Sequence, residues 1–184
     1  ETIVGEHIID VQTKGRSPIV SLRTHESVSV CEEAKTAITS AALIVLGPGD
    51  LYTSTLANFA IRGLAEAVQN SPARLVYVVN LFTKAGQTEG YGALKHVREI
   101  ERYTGRKPDH VILNTDSVPE EALKRYAAKG EFPVADDLPK NNASVTRGTF
   151  ADVVPVKEEE GDRLSRSLIR HDPKKLAEAI YACL

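Results

Sequence analysis

Three short, continuous apolar runs divide this chain: Leu43–Leu46, residues 75–79 and residues 110–113. None alternates apolar with polar positions, so each predicts a strand buried on both faces, as in a parallel sheet. Amphipathic stretches separate them. Residues 91–104 place Ala93, Val97, Ile100 and Thr104 on one side and Lys95, Arg98, Glu99 and Arg102 elsewhere, with Gly105 as the stop. Ser117-Val118-Pro119-Glu120 has capping-box spacing with proline in the first turn, which predicts a helix running to Lys129 and ended by Gly130. A last helix over 173–182 is predicted from the Asp172 cap and Pro173.

Strand, helix, strand, helix, strand, helix is the order of a doubly wound, mainly parallel α/β sheet. Residues 2–11 and 18–23 read as β-rich, and 32–39 as a short helix. Residues 140–148 read as a polar loop and 157–163 as a solvated charge run. The expectation is one α/β domain over 1–184, with a β-rich insert over 1–30 and a core over 41–184.

Composition narrows the class. With 184 residues, 42% apolar and 26% charged, the chain has the make-up of an ordinary globular protein with one sizeable core. A net charge of −2 gives no electrostatic case for a nucleic-acid partner. No apolar run approaches membrane-spanning length. Cys31 and Cys183 lie far apart without metal-ligand spacing, so a reduced, cytoplasmic protein is expected. The sequence starts at Glu1 and holds no methionine, and its opening residues read like the middle of a strand-rich region. It is therefore expected to be part of a longer protein. A homodimer through exposed apolar helix faces is also compatible with the pattern.

Candidate chemistry gathers where the runs end. Gly47-Pro48-Gly49-Asp50 follows the first run, and Tyr52, Thr53 and Ser54 come next. Two glycines allow close backbone approach, and a helix start there would favour an anion. The loop lacks the endings of a Walker loop and the third glycine of the dinucleotide fingerprint. Asp50 at the turn would repel a phosphate unless a divalent cation bridged the two. The second and third runs end in Asn80 and in Asn114-Thr115-Asp116. Each such residue alone is most simply a turn former, but three strands ending alike beside a glycine loop favour a shared ligand crevice. The long polar segment 80–90 offers Lys84 to a phosphate and Thr88 as a cap for the next helix, or it is a plain surface loop. Arg170 is suited to a phosphate or to a surface ion pair, and His96 to a structural role. No Ser/His/Asp or Cys/His constellation has diagnostic spacing, so no catalytic residue is assigned.

Four stretches together resemble one family: LIVLGPGDLYTSTLANFAIRGLAEAV, VYVVNLFTKAGQTEGYGALKHV, PEEALKRYAAKGEFPV and LIRHDPKKLAEAI. Their content and order are similar to the YvcK/CofD-like family, closer to its gluconeogenesis-factor branch than to its 2-phospho-L-lactate transferases. The resemblance implies a Rossmann-like, three-layer αβα fold. The gluconeogenesis-factor branch implies a cytoplasmic binder of UDP-sugars, linked to gluconeogenic growth, cell-wall precursor supply and cell shape. The transferase branch implies the alternative, an Mg²⁺-dependent enzyme that uses a guanosine diphosphate-activated donor.

The family's Gly-Gly-Gly-Thr-Gly nucleotide loop has no counterpart here, as expected of a chain lacking the segment that carries it. Metal ligands are therefore not assigned. Asp50 stands where the family shows serine, and Lys84-Ala85 where it shows glutamine and proline. Position by position, the resemblance places Gly47, Gly49, Tyr52, Thr53 and Ser54 at the sugar-diphosphate end of a pocket, and Asp50 joins them as a candidate only by its place in the glycine loop. It places Asn80, Thr83, Thr88, Gly90 and Tyr91 along a second wall, with Tyr126 and Arg170 reaching the ligand from later elements, while Asn114 is a candidate from its strand-end position.

Overall fold

The structure is a computed structural model that describes residues 2–10, 18–153 and 169–184. The three apolar runs form strands β1 (Leu43–Leu46), β2 (Arg74–Val78) and β3 (His110–Asn114), joined by a fourth, β4 (Val145–Gly148). All four pair in parallel in the order β1-β2-β3-β4. Among the described strands the order advances in one direction.

Both faces of this sheet are covered, which is why its strands read as unbroken apolar runs. Tyr77 and Val79 point to one face and meet Val97 and Ile100 of helix α4 (Ala93–Thr104) together with Leu51, Tyr52 and Leu56. Val76, Val78 and Ile112 point to the other and meet Leu176, Ile180 and Cys183 on or just after helix α6 (Pro173–Tyr181). The result is the expected three-layer α/β arrangement. The predicted inner face of α4 is the one observed, since Ala93, Val97, Ile100 and Thr104 are all buried. Gly105 ends the helix with φ +68°, a left-handed conformation that favours glycine.

The crossover from β1 to β2 is a π turn (Leu51–Thr55), a 3₁₀ turn (Leu56–Ala60) and helix α3 (Leu64–Asn70). Helix α5 (Glu120–Ala127) does not lie on a sheet face. Ala122, Leu123 and Tyr126 pack instead on Leu81 and Phe82, beyond the end of β2, and on Ile169. Ile169 belongs to an antiparallel ribbon of β5 (Ala151–Val153) and β6 (Ile169–His171). At the opposite, amino end of the sheet, Arg106 donates to the carbonyls of Ser71 and Ala73, and Asp109 accepts from the Leu75 N–H. These contacts fix where β2 and β3 start.

Three expectations are corrected. Residues 140–148 contain β4 rather than only loop, because Val145, Thr146, Arg147 and Gly148 find a ladder on β3. Residues 2–11 do not form a strand where they are described; Glu6–Asp10 is a short helix, α1, and 18–23 joins no ladder. A second helix, α2 (Glu32–Ser40), follows as predicted. The Ser117 capping box is not made, since α5 starts after Pro119 without a side-chain cap. Asp172, by contrast, caps α6 as expected, accepting from the N–H groups of Lys174 and Lys175. The charge run at 157–163 lies outside the described residues.

Candidate functional site

Parallel pairing brings the carboxyl ends of β1, β2 and β3 to one edge of the sheet, and the polar loops meet there. After β1 the chain passes Gly47, where a Cβ would meet open space, and Gly49, where it would come within 3.1 Å of Ser54 Cβ. A side chain at 49 would press on Ser54, while Gly47 leaves its space clear. The Asp50 carbonyl then accepts from both Ser54 N–H (2.9 Å) and Thr55 N–H (3.1 Å). A five-residue π turn results instead of a long helix, so the dipole available to an anion is small.

Several of the residues expected at the diphosphate end are committed to the protein. Tyr52 is buried, with its hydroxyl 3.2 Å from that of Tyr91. Burial, then that hydrogen bond, pushes its phenol well above the usual range. Tyr91 also meets His96 edge-on, and His96 is a buried, structural histidine bonded to the Gly92 carbonyl. Thr53 donates to Asp10 at 3.1 Å, while Ser54 stays exposed.

The 80–90 segment is tied down throughout. The Thr83 N–H donates to the Phe132 carbonyl and the Thr83 hydroxyl accepts from the Phe132 N–H. Thr88 is buried and accepts from the Lys84 N–H at 2.7 Å, closing its own turn rather than capping α4. The amino end of α4 is closed by Asp137, which accepts from the Leu94 N–H at 2.7 Å. Gly90 has φ +70° and open space beside it. Lys84 does not point at an open anion seat. Its ammonium stands 3.3 Å from Asp50 and 3.5 Å from Asp10.

A crevice of about 370 Å³ opens at the carboxyl ends of β2 and β3, lined by Asn80, Asn114, Thr115, Asp116, Asp136 and Lys140 among others. Asn114 shapes it: its Oδ1 accepts from the N–H groups of Phe150 (2.8 Å) and Ala151 (3.0 Å). Asn80 Oδ1 accepts from the Leu81 N–H at 3.2 Å, while its Nδ2 makes no hydrogen bond among the described residues. Asp136 is held by Arg147 at 2.8 Å and Lys140 at 2.7 Å. Those contacts, Arg147 first, keep its carboxyl down at about 2, so Asp136 stays ionised and paired with the two cations at the crevice rim. Sequence reasoning missed Asp136 as a crevice residue and Lys140 as its partner, because Arg147 reaches Asp136 only through the pairing of β4. A larger cavity of about 500 Å³, lined mainly by apolar groups such as Ile3, Ile9 and Leu22, lies beside Thr53.

The late elements stand apart from the crevice lining. Tyr126 stacks on Phe82 with ring centres 4.0 Å apart, and its hydroxyl accepts from the Ile169 N–H at 3.3 Å. Arg170 is exposed on β6 opposite Asp152 and lines neither cavity. Among the described residues no group of three His, Cys, Asp or Glu side chains is placed to hold a metal ion.

A mainly parallel sheet covered on both faces, with polar loops at its carboxyl edge, is a Rossmann-like α/β domain. A family model described as 2-phospho-L-lactate transferase CofD matches residues 1–153, and the chain belongs to that family. It is 36% identical over 180 residues to a Thermotoga maritima protein provisionally named a gluconeogenesis factor, a match that covers 98% of this chain and 55% of that protein. To the Bacillus subtilis gluconeogenesis factor it is 30% identical over 162 residues, covering 88% of this chain and 49% of that one. A solved structure of a Bacillus halodurans protein of the UPF0052 family superposes with a TM-score of 0.79 at 28% identity, covering 97% of this chain and 55% of that one. The chain spans about half the length of the curated relatives it matches. No helix of the described residues is long and apolar enough to cross a membrane.

Proposed function

We propose that this chain belongs to a cytoplasmic regulatory protein that binds a nucleotide sugar of the UDP-sugar type. Its output would be gluconeogenic growth, cell-wall precursor supply and cell shape. The observation that carries this reading is the crevice between Asn80 and Asn114. The unspent amide nitrogen of Asn80 and the Asp116 carboxylate, at the ends of two parallel strands, suit the acceptors and donors of a pyrimidine or the hydroxyls of a sugar. At about 370 Å³ the crevice takes one such ring, and the rest of the ligand would extend along the sheet edge toward Gly47, where space is clear. Names of relatives as gluconeogenesis factors support the regulatory branch of the family over the enzymatic one.

The family resemblance also offers Arg170 to a diphosphate; it lines neither cavity, so a contact would require the ligand to reach past the crevice to β6. Arg170→Ala is expected to weaken binding by about 1.5–3 kcal/mol, the range for hydrogen bonds to charged groups. An unchanged affinity would remove it from the site. Calorimetric titration with UDP-N-acetylglucosamine and with GDP, each with and without Mg²⁺, tests the whole. UDP-sugar binding without metal or turnover supports a sensor. GDP binding that requires Mg²⁺, without UDP-sugar binding, would replace it with the transferase alternative.

A further inference from the structure

One charged cluster is not used by the crevice. Lys84 Nζ lies 3.3 Å from an Asp50 oxygen and 3.5 Å from an Asp10 oxygen, joining the glycine loop, the 80–90 segment and helix α1. None of the three side chains is more than 32% exposed, so water screens these pairs less than it would on an open surface. Burial pulls the ammonium toward its neutral form, but Asp50 and Asp10 outweigh it and hold Lys84 above its ordinary value. Glu131 adds a third carboxyl to the same field, and burial raises its pKa most.

Gln87 supplies a second and independent observation. It is only 3% exposed, and its Nε2 donates to Asp10 at 3.1 Å and reaches Thr53 Oγ1 at 3.4 Å. Its carbonyl Oε1 is buried with no partner. Carboxylate oxygens from two segments, Asp10 and Asp50, thus converge beside a buried amide oxygen that has no partner, in the chemistry that holds a hard cation. The cation found among them is the lysine.

We propose that the Lys84 ammonium is a built-in cation of the glycine loop, taking the place between Asp10 and Asp50 that a divalent ion would otherwise take. It cancels the repulsion Asp50 would exert on an anionic ligand at the loop. Binding at this edge therefore needs no metal, a consequence that rests on the nucleotide-sugar reading, whereas the occupancy of the cluster does not. The arrangement also accounts for the pairing of an acid at 50 with a base at 84 on two loops 34 positions apart in sequence.

Electron paramagnetic resonance of Mn²⁺ added to the chain tests the occupancy without any nucleotide. The unaltered chain is expected to bind no Mn²⁺ in this cluster at millimolar metal. Lys84→Gln and Lys84→Met, each checked for native circular dichroism, are expected to gain one bound ion per chain, and a further Asp50→Asn change to abolish it. Lys84→Arg keeps a cation and is expected to gain none. An ion bound by the unaltered chain and lost in Asp10→Asn overturns the proposal, whatever the stability of the variants. So does a folded Lys84→Gln or Lys84→Met chain that binds none. Titration of the unaltered chain with UDP-N-acetylglucosamine in EDTA then tests the consequence. Binding abolished by EDTA overturns metal independence, while absence of binding with and without EDTA counts against the nucleotide-sugar reading and leaves the Mn²⁺ result standing.

Discussion

Asp137 closes helix α4 from a distance of 43 residues: its Oδ1 accepts the Leu94 N–H at 2.7 Å, and the Ala135 carbonyl takes the Ala93 N–H beside it. The positive end of the sheet's central helix is thereby satisfied by the chain, which directs attention away from that helix start and toward the strand ends. A Cβ at Gly92 would overlap the same carboxylate, so glycine is required there for the cap to dock.

Asp137→Ala is expected to cost about 1 kcal/mol, as loss of an N-cap does, and Asp137→Asn much less. Urea denaturation of the two variants measures the difference. Equal stability of Asp137→Ala and the unaltered chain would mean that the cap does not hold the helix.

Acid should destabilise the fold in two stages. Burial pushes the His171 imidazole from 6.5 down to about 4, against an opposing hydrogen bond to the Val79 backbone. The unfolded chain takes that proton first, so this contribution is lost as pH falls from about 6.5 to about 4. Asp136 is depressed from 3.8 to about 2, chiefly by Arg147, so its contribution is present above 3.8 and lost as pH falls through about 2. Urea midpoints measured across the acid range should fall in both windows. His171→Leu should flatten the first and Asp136→Asn the second.

Asn114 holds two backbone donors with one oxygen. Asn114→Ala leaves the Phe150 and Ala151 N–H groups without that partner and is expected to cost about 1–3 kcal/mol. Asn114→Asp retains an acceptor and should cost less in a denaturant titration. The reverse order would mean that the amide's Nδ2, which reaches the Asp116 carbonyl at 3.4 Å, is the more important half.

Tyr126 separates packing from ligand contact. Tyr126→Phe keeps the stack on Phe82 and loses only the bond from Ile169, for about 1 kcal/mol, whereas Tyr126→Ala removes the ring and should cost about 3 kcal/mol. If the ring serves packing, the Phe variant binds UDP-N-acetylglucosamine as the unaltered chain does. A clear loss of affinity in that variant would restore the tyrosine hydroxyl to the ligand site.

The parts of the fold legible in the sequence are those set by local pattern. Unbroken apolar runs marked β1, β2 and β3, because both sheet faces are covered; Asp172-Pro173 marked the start of α6, and Gly105 the end of α4. What was not legible depends on partners far along the chain. β4 is polar in sequence and becomes a strand through its pairing with β3, as in Ile112 opposite Thr146. Thr88 has the spacing of a cap for α4, but a carboxylate 49 positions later does that work. Asn80, Asn114 and Asp116 were readable as strand-end residues and do line one crevice, while Asp136 joined it only through Arg147. Lys84 looked like a phosphate ligand because its two carboxylate neighbours come from different segments.

The measurement that tests the central claim most directly is nuclear magnetic resonance mapping of UDP-N-acetylglucosamine on the isotopically labelled chain. Binding in the strand-end crevice predicts saturable shifts of the backbone amides at Asn80, Asn114, Thr115 and Asp116. An unmoved spectrum at millimolar ligand, or shifts confined to the apolar cavity beside Thr53, would contradict it.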